Sequence, residues 1–219
     1  MSDATYQQLL DLMAGGALVA AVVALWRRSL SAIVRTLAFQ GLAVAAVALL
    51  LGIKHHEPAQ LAVAIITLIV KVGFVPAILL RIVTSLPDRQ ETERLVNPTA
   101  TLVVAAVTIV AAFGATQPLV RLTPSPESNL LPTGFAVVLV AYLGLVTRRN
   151  AVTQIVGFLT LENGVALVAV LAAAHVSLAS ELAVSLDVLL AVLVLQVLTT
   201  RMRSKVGAFD LDHLQELRD

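Results

Sequence analysis

The sequence predicts an all-α, polytopic membrane protein of seven transmembrane helices, with its N-terminus outside and its C-terminus in the cytoplasm. Three observations carry this reading. First, the 219-residue chain is 58% hydrophobic and 13% charged, whereas a soluble domain is about half apolar and about a quarter charged. With a mean hydropathy of +0.92, it cannot cover itself with polar surface. Second, seven apolar runs separated by polar joins reach the roughly 17–25 residues needed to cross a bilayer. Third, twelve of the fifteen Lys and Arg residues fall in the joins of one side, against Lys54 and Arg121 on the other. By the positive-inside rule the rich side is cytoplasmic. An N-out, C-in chain needs an odd number of spans, and seven satisfies it.

The first run, 6–26, follows MSDATYQQLLD. That start is acidic and polar where a signal peptide has a basic region, so no cleavage is expected. WRRSLSAIVR separates it from 35–53, and KHHEP separates that run from 59–83. SLPDRQETERLVN, TQPLVRLTPSPESNL, TRRN and HVSLAS then bound the runs 98–116, 131–147, 151–174 and 180–200. Pro, Ser and Asn collect in these joins, as chain breakers do. The membrane domain is expected over 1–203, with a cytoplasmic tail over 204–219. The tail spaces Leu211, Leu214 and Leu217 every three residues. It reads as an amphipathic helix lying on a partner, or as a frayed end. The first and last three spans share a loose plan, each with a double-Arg turn, Arg27–Arg28 and Arg148–Arg149.

Three ionisable residues stand deep inside runs; a charge at the bilayer centre costs about 2.5–3.5 kcal/mol. They are Lys71 in ITLIVKVGFVP, Glu162 in LTLENGVALV and Asp187 in VSLDVLLAV. Glu162 is thirteen residues from both Arg149 and His175, which is roughly 20 Å of helix either way. Lys71 is similarly deep, and Asp187 lies about 10 Å below Ser180 on the same rise. Snorkelling suits groups near helix ends, not Glu162 or Lys71. Two readings remain. The charges lock helices together, or they form a proton or ion pathway, with Glu162 as central relay, Lys71 as its charge partner and Asp187 as the next station outward. Pro76 removes a backbone donor close to Lys71, and a kink there is tolerable only inside protein or beside a hydrated cavity. Gly157 and Gly164 share a stripe suited to close helix packing, with Glu162 on another side. Asn163 and Gln154 belong to the same helix as supporting polar residues.

Other chemistry finds little footing. With no Cys in the chain, disulfides, thiolate metal sites and iron–sulfur clusters are excluded. His55, His56 and His175 lie in joins, not within spans where a haem would want them. Gly15–Gly16 lies inside an apolar run and is no phosphate loop. No deep Ser–His or Ser–Lys pairing suggests a hydrolase. No cofactor, metal or nucleic-acid partner is expected.

KVGFVPAIL, TRRNAVTQIVGFLTLENGVALV, SLDVLLAV and the terminal FDLDHLQEL together resemble hydrogenase-4 component E, a membrane subunit of energy-converting group 4 nickel–iron hydrogenases. The likeness runs from the third span to the C-terminus. Residues 131–200 are also similar to the K-type subunit of complex I and the C subunit of Mrp-type antiporters, with Asn150, Gly157 and Asn163 in register. Glu162 lies about one turn deeper than the glutamate of those relatives, and Asp187 is displaced by about a turn. The resemblance implies a subunit that is not catalytic alone and sits in a bacterial plasma membrane. Its partners would be antiporter-like and hydrogenase-like chains, and its buried charges would serve proton or sodium translocation coupled to electron transfer. A purely structural subunit bridging its partners, a subunit of a cation/proton antiporter and a stand-alone transporter stay open as alternatives.

Overall fold

Ser2 opens the first helix, its hydroxyl accepting the Thr5 N–H at 3.2 Å, with Asp3 in the first turn. Both features suit the positive end of a helix. The computed structural model describes residues 2–85, 97–122, 124–148 and 151–172. These fall in a compact unit, Met1–Ala183, while a second unit, Val184–Asp219, lies outside the described residues. The described elements are α1 (Asp3–Trp26), α2 (Leu30–His55), α3 (Pro58–Ser85), α4 (Pro98–Leu122), α5 (Leu131–Thr147, entered through a 3₁₀ turn at Ser128–Leu130) and α6 (Ala151–Ala172). No strand occurs among them. Among the described residues six helices are long and apolar enough to cross a membrane, so the chain is a multi-pass membrane protein. The expected run 180–200, Asp187 and the tail lie outside the described residues.

Two boundaries move from their expected places. The join at 27–35 shrinks, because α2 starts at Leu30 and buries Leu30, Ile33, Val34 and Leu37. That i, i+3, i+4, i+7 stripe extends the helix past Arg35, which stays exposed. The fourth helix runs on to Leu122, carrying Pro118 inside its last turns, instead of stopping at 116. Pro118 lacks the N–H that would reach back to the Gly114 carbonyl, so the last turns continue past one missing ladder bond.

The helices α1, α2, α6 and α5 pack in a ring, with α3 added beside α2 and α4 beside α5 and α1. Among these helices α2 is the most enclosed and α4 the least: 56% of the apolar window of α2 is buried, against 22% of that of α4. Small residues allow the close approach. Ala14, Ala17 and Ala21 of α1 are buried, as are Ala43, Ala45 and Ala48 of α2, the pattern expected where lipid supplies no hydrophobic contrast. A Cβ on Gly164 would lie 2.8 Å from the Val138 nitrogen, and one on Gly157 would lie 3.3 Å from the Leu145 Cα. Both glycines therefore set α6 backbone-close against α5. α2 ends where His56 takes the left-handed conformation (φ 55°) and the Glu57 N–H returns to the Gly52 carbonyl at 3.1 Å. Pro58 then occupies the first turn of α3, where its missing donor is harmless.

Candidate functional site

The middle of α3 is not α-helical. Leu68–Phe74 form a π-helical stretch, in which the Val75 N–H bonds the Val70 carbonyl five residues back. Pro76 follows at once, and its lack of an N–H breaks the ordinary ladder at this place. The sequence suggested a kink that frees a carbonyl; the chain instead shifts its hydrogen-bond register by one residue. Such wide turns are rare and concentrate at functional sites. Lys71 is the buried residue of this stretch. It rests on α2 where Gly41 has no side chain: a Cβ there would lie 3.0 Å from the Lys71 Cβ and 3.2 Å from the Lys71 carbonyl oxygen. Nothing larger than hydrogen fits without moving the turn.

Glu162 reaches this lysine from α6. Its Oε1 lies 3.2 Å from Lys71 Nζ, and the two side chains are 5% and 8% exposed. Consecutive helical residues point about 100° apart, so Asn163 addresses another neighbour. Its Nδ2 donates to Gln40 Oε1 on α2 at 3.1 Å, and Gln40 Nε2 donates to the Ala17 carbonyl of α1 at 3.4 Å. Gln40 and Asn163 are both buried. An ion pair and a relay of amides thus link α3 to α6, α6 to α2 and α2 to α1 at one level. Pro76 is buried just past the π turn. Gln154 is exposed and donates to the Arg148 carbonyl at 3.1 Å, away from the charged pair.

Polar groups also gather at both ends of the bundle. The last turn of α1 carries no basic residue of its own. Buried Arg148, at the end of α5, supplies the charge, donating from Nη2 to the carbonyls of Ala24 and Leu25, where a cation suits a helix C-terminus. Arg148, Thr153 and Thr160 line a cavity between α1, α2, α5 and α6 that offers about 20 Å³ to the centres of water molecules, room for about one. At the other end Glu127 is buried. It accepts the Tyr6 hydroxyl at 2.7 Å and lies 3.4 Å from His55 Nε2. Burial pushes this carboxyl up, but hydrogen bonds from Tyr6, its own backbone, Ser125 and His55 outweigh it and hold it below its ordinary value. Lys54 pairs with Asp3 nearby.

Sequence reasoning found Lys71, Glu162 and Asn163 but missed Gln40, Gly41, Tyr6 and Glu127. Gln40–Gly41 interrupt an apolar run in FQGLAVAA, a signal weaker than a charge yet present.

Along its whole length the chain is 46% identical to the uncharacterized protein Rv0085 of Mycobacterium tuberculosis, over 220 residues and the whole of that protein. The chain belongs to the family of that mycobacterial protein. A more distant likeness joins this family to hydrogenase-4 component E of Escherichia coli K12: 26% identity over 150 residues, 68% of this chain and 69% of the other. The Shigella flexneri hydrogenase-4 component E matches with the same figures. No family model matches, and no solved structure matches. The chain is thus distantly related to a hydrogenase-4 membrane subunit.

Proposed function

We propose that this chain is a non-catalytic membrane subunit of an energy-converting complex of the hydrogenase-4 kind, in which Lys71 and Glu162 pass protons, or exchange sodium, in step with electron transfer in other chains. One observation supports this above all: an acid and an amine buried among apolar helices touch each other at 3.2 Å. Ionisable groups inside a bundle mark ion pathways by default. The chemistry is a two-step transfer. The Lys71 ammonium gives a proton to the Glu162 carboxylate, leaving an amine and a carboxylic acid. The amine then takes a proton from one side while the acid releases one to the other, so one proton crosses and the starting pair returns. Asn163, held by Gln40, fixes the turn that carries Glu162. Asp187 is proposed as the next station outward. Antiporter-like and hydrogenase-like chains are the proposed partners, in a bacterial plasma membrane.

Replacing Glu162→Gln in the assembled complex tests this. Electron transfer and assembly are expected to persist while proton pumping fails; normal pumping in a normally assembled complex would defeat the role. A structural reading, in which the charges only set helix register, draws on the contact between Gly41 and the Lys71 backbone. It predicts that an apolar replacement of both charges keeps full pumping.

A further inference from the structure

The exposed faces of α1 and α4 differ in kind. That of α4 is apolar, with Val103, Val107 and Val110 all more than half open, as suits a helix against lipid. That of α1 is polar over its first half, where Gln7, Gln8 and Asp11 are all exposed. None of these three side chains has a partner among the described residues. Asp11 lies eight residues from Asp3 and fifteen from Trp26, about 12 Å and about 22 Å along the axis. The 24 residues of α1 measure about 36 Å against a hydrocarbon layer of about 30 Å, so a centred α1 sets Asp11 about 9 Å inside that layer. An aspartate is too short to carry its charge back over that distance, and a carboxylate facing lipid is costly. Beside it the surface is open. Gly15, one turn further in on the same side, would carry a Cβ that meets nothing within 4 Å, whereas Gly16 is covered by Phe39 of α2. A small residue on an open surface is where another helix can come close.

We propose that this face of α1 seats a transmembrane helix of another subunit, which packs over Gly15 and brings a lysine or arginine to Asp11, with Gln7 and Gln8 as further hydrogen-bond partners. The inference rests on the reading that the chain is a subunit of a membrane complex, and it adds the docking surface and the charge its partner must carry. Charge selects this occupant. The chain's own residues 173–200 contain no Lys or Arg and hold Glu181 and Asp187 instead. A second copy paired symmetrically would set Asp11 against Asp11, and like charges across an interface repel. Among the described residues, Lys54 is engaged by Asp3, Lys71 faces Glu162 inside the bundle, Arg121 stands in the last turn of α4, and the other Arg residues lie toward the Trp26 end. A second copy therefore offers no cation at this depth from those residues, and hydrocarbon tails offer none either. Paired inside a helix contact, the Asp11 carboxylate fixes the register of its partner on a surface that is otherwise open to many.

The full chain is tested in its native membranes. The photo-crosslinker benzoylphenylalanine is placed at Val19, exposed one turn beyond Gly15 on the same face, and in a control at Val107 of α4. Illumination is expected to join Val19 to one other subunit and Val107 to lipid alone. Mass spectrometry of the cross-linked peptide then reads the partner helix, which must hold a Lys or Arg placed to meet Asp11. Asp11→Lys is expected to lower the Val19 adduct at least about tenfold, and Asp11→Asn less. Reversing the partner's cation to an acid is expected to restore the adduct with Asp11→Lys. The isolated chain should melt alike in all three forms, because Asp11 bonds to none of the described residues, so a lost adduct reports docking and not folding. Should Asp11→Lys fail to insert, Asp11→Asn decides, and an undiminished adduct there overturns the proposal. An adduct at Val19 with lipid only, with a second copy, or with a helix that lacks a basic residue overturns it too. Mobility on a native gel separates the two readings. A chain that runs within a larger complex yet joins only lipid at Val19 keeps the subunit reading and removes this surface; a chain that runs alone removes both.

Discussion

Removing one member of the buried pair takes from the other the opposite charge it faces. Glu162→Leu leaves Lys71 Nζ without the carboxylate that lies 3.2 Å away. At an effective dielectric of about 20, the attraction over that distance is about 5 kcal/mol. Deleting one partner of a buried pair costs about 3–5 kcal/mol in practice, since the survivor keeps its desolvation penalty. The two estimates agree, and neither is offset by solvent, because both side chains are less than a tenth exposed. Lys71→Met with Glu162→Leu removes both penalties at once, and such double apolar replacements are nearly neutral or stabilising. The cycle is read by thermal unfolding of the four proteins in one lipid mixture, alongside proton transfer in vesicles containing the assembled complex. We expect each single variant to be strongly destabilised, the double variant to melt near the parent, and proton transfer to be lost in all three. A single-variant cost below about 1 kcal/mol, the range of solvated pairs, would refute the buried-pair argument. Full transfer by the double variant would refute the relay and leave the structural reading.

Gly41→Leu should separate α2 from the π turn, because even its Cβ meets Lys71 at 3.0–3.2 Å. Overpacking of this kind costs about 1–3 kcal/mol, measurable by the same melts, with Gly41→Ala milder. Gln40→Leu leaves the Asn163 amide unmet, at about 1–3 kcal/mol; adding Asn163→Leu should recover most of the loss, and no recovery would show that the two amides are not coupled. At the other end, Glu127 binds its proton more weakly in the folded chain than its ordinary value. The folded state therefore holds fewer protons than the unfolded one as pH falls through about 4.3. Its stabilising contribution is complete above that pH and disappears as pH drops through the folded value. Melting temperatures taken from neutral to acidic pH should fall less steeply in Glu127→Gln, a difference that circular dichroism in detergent can follow.

Hydropathy alone places six helices close to where they lie, because a span needs only length and apolar content, and both are local. Depth was legible for the same reason: counting residues from Arg149 puts Glu162 near the middle of its helix. Rotation was not. Whether Lys71 faces Glu162 depends on the azimuth of two helices separated by nearly a hundred residues, and hydropathy carries almost no phase when a helix is apolar all round. The glycine stripe of α6 gave a partial phase, since close packing must go where side chains are smallest. The Tyr6–Glu127–His55 contacts were invisible, because they join sequence positions 121 and 72 residues apart in segments that read as a helix start and two joins. Gln40 was passed over because an uncharged amide costs less to bury than a charge and stands out less in an apolar run.

The π turn explains why the lysine and the glutamate meet at all. In an uninterrupted α-helix, each residue advances the side chain by about 100°, so Gln60, Thr67 and Lys71 share one stripe and all address α2. α2 alone offers Lys71 no carboxylate in this region, only the bare backbone of Gly41 and the amide of Gln40. Widening the ladder by one residue at Leu68–Phe74 changes the local rotation just where the lysine must pass α2 to reach α6. Pro76 makes the widening cheap by withholding a donor, and Gly41 makes room for the bulge. Gly164, by drawing α6 against α5, fixes the other side. Three residues without reactive side chains therefore hold the charged pair in place. Substituting any of them should perturb proton transfer while every titratable group remains present, and that pattern is what a positioned relay requires and a chance ion pair does not.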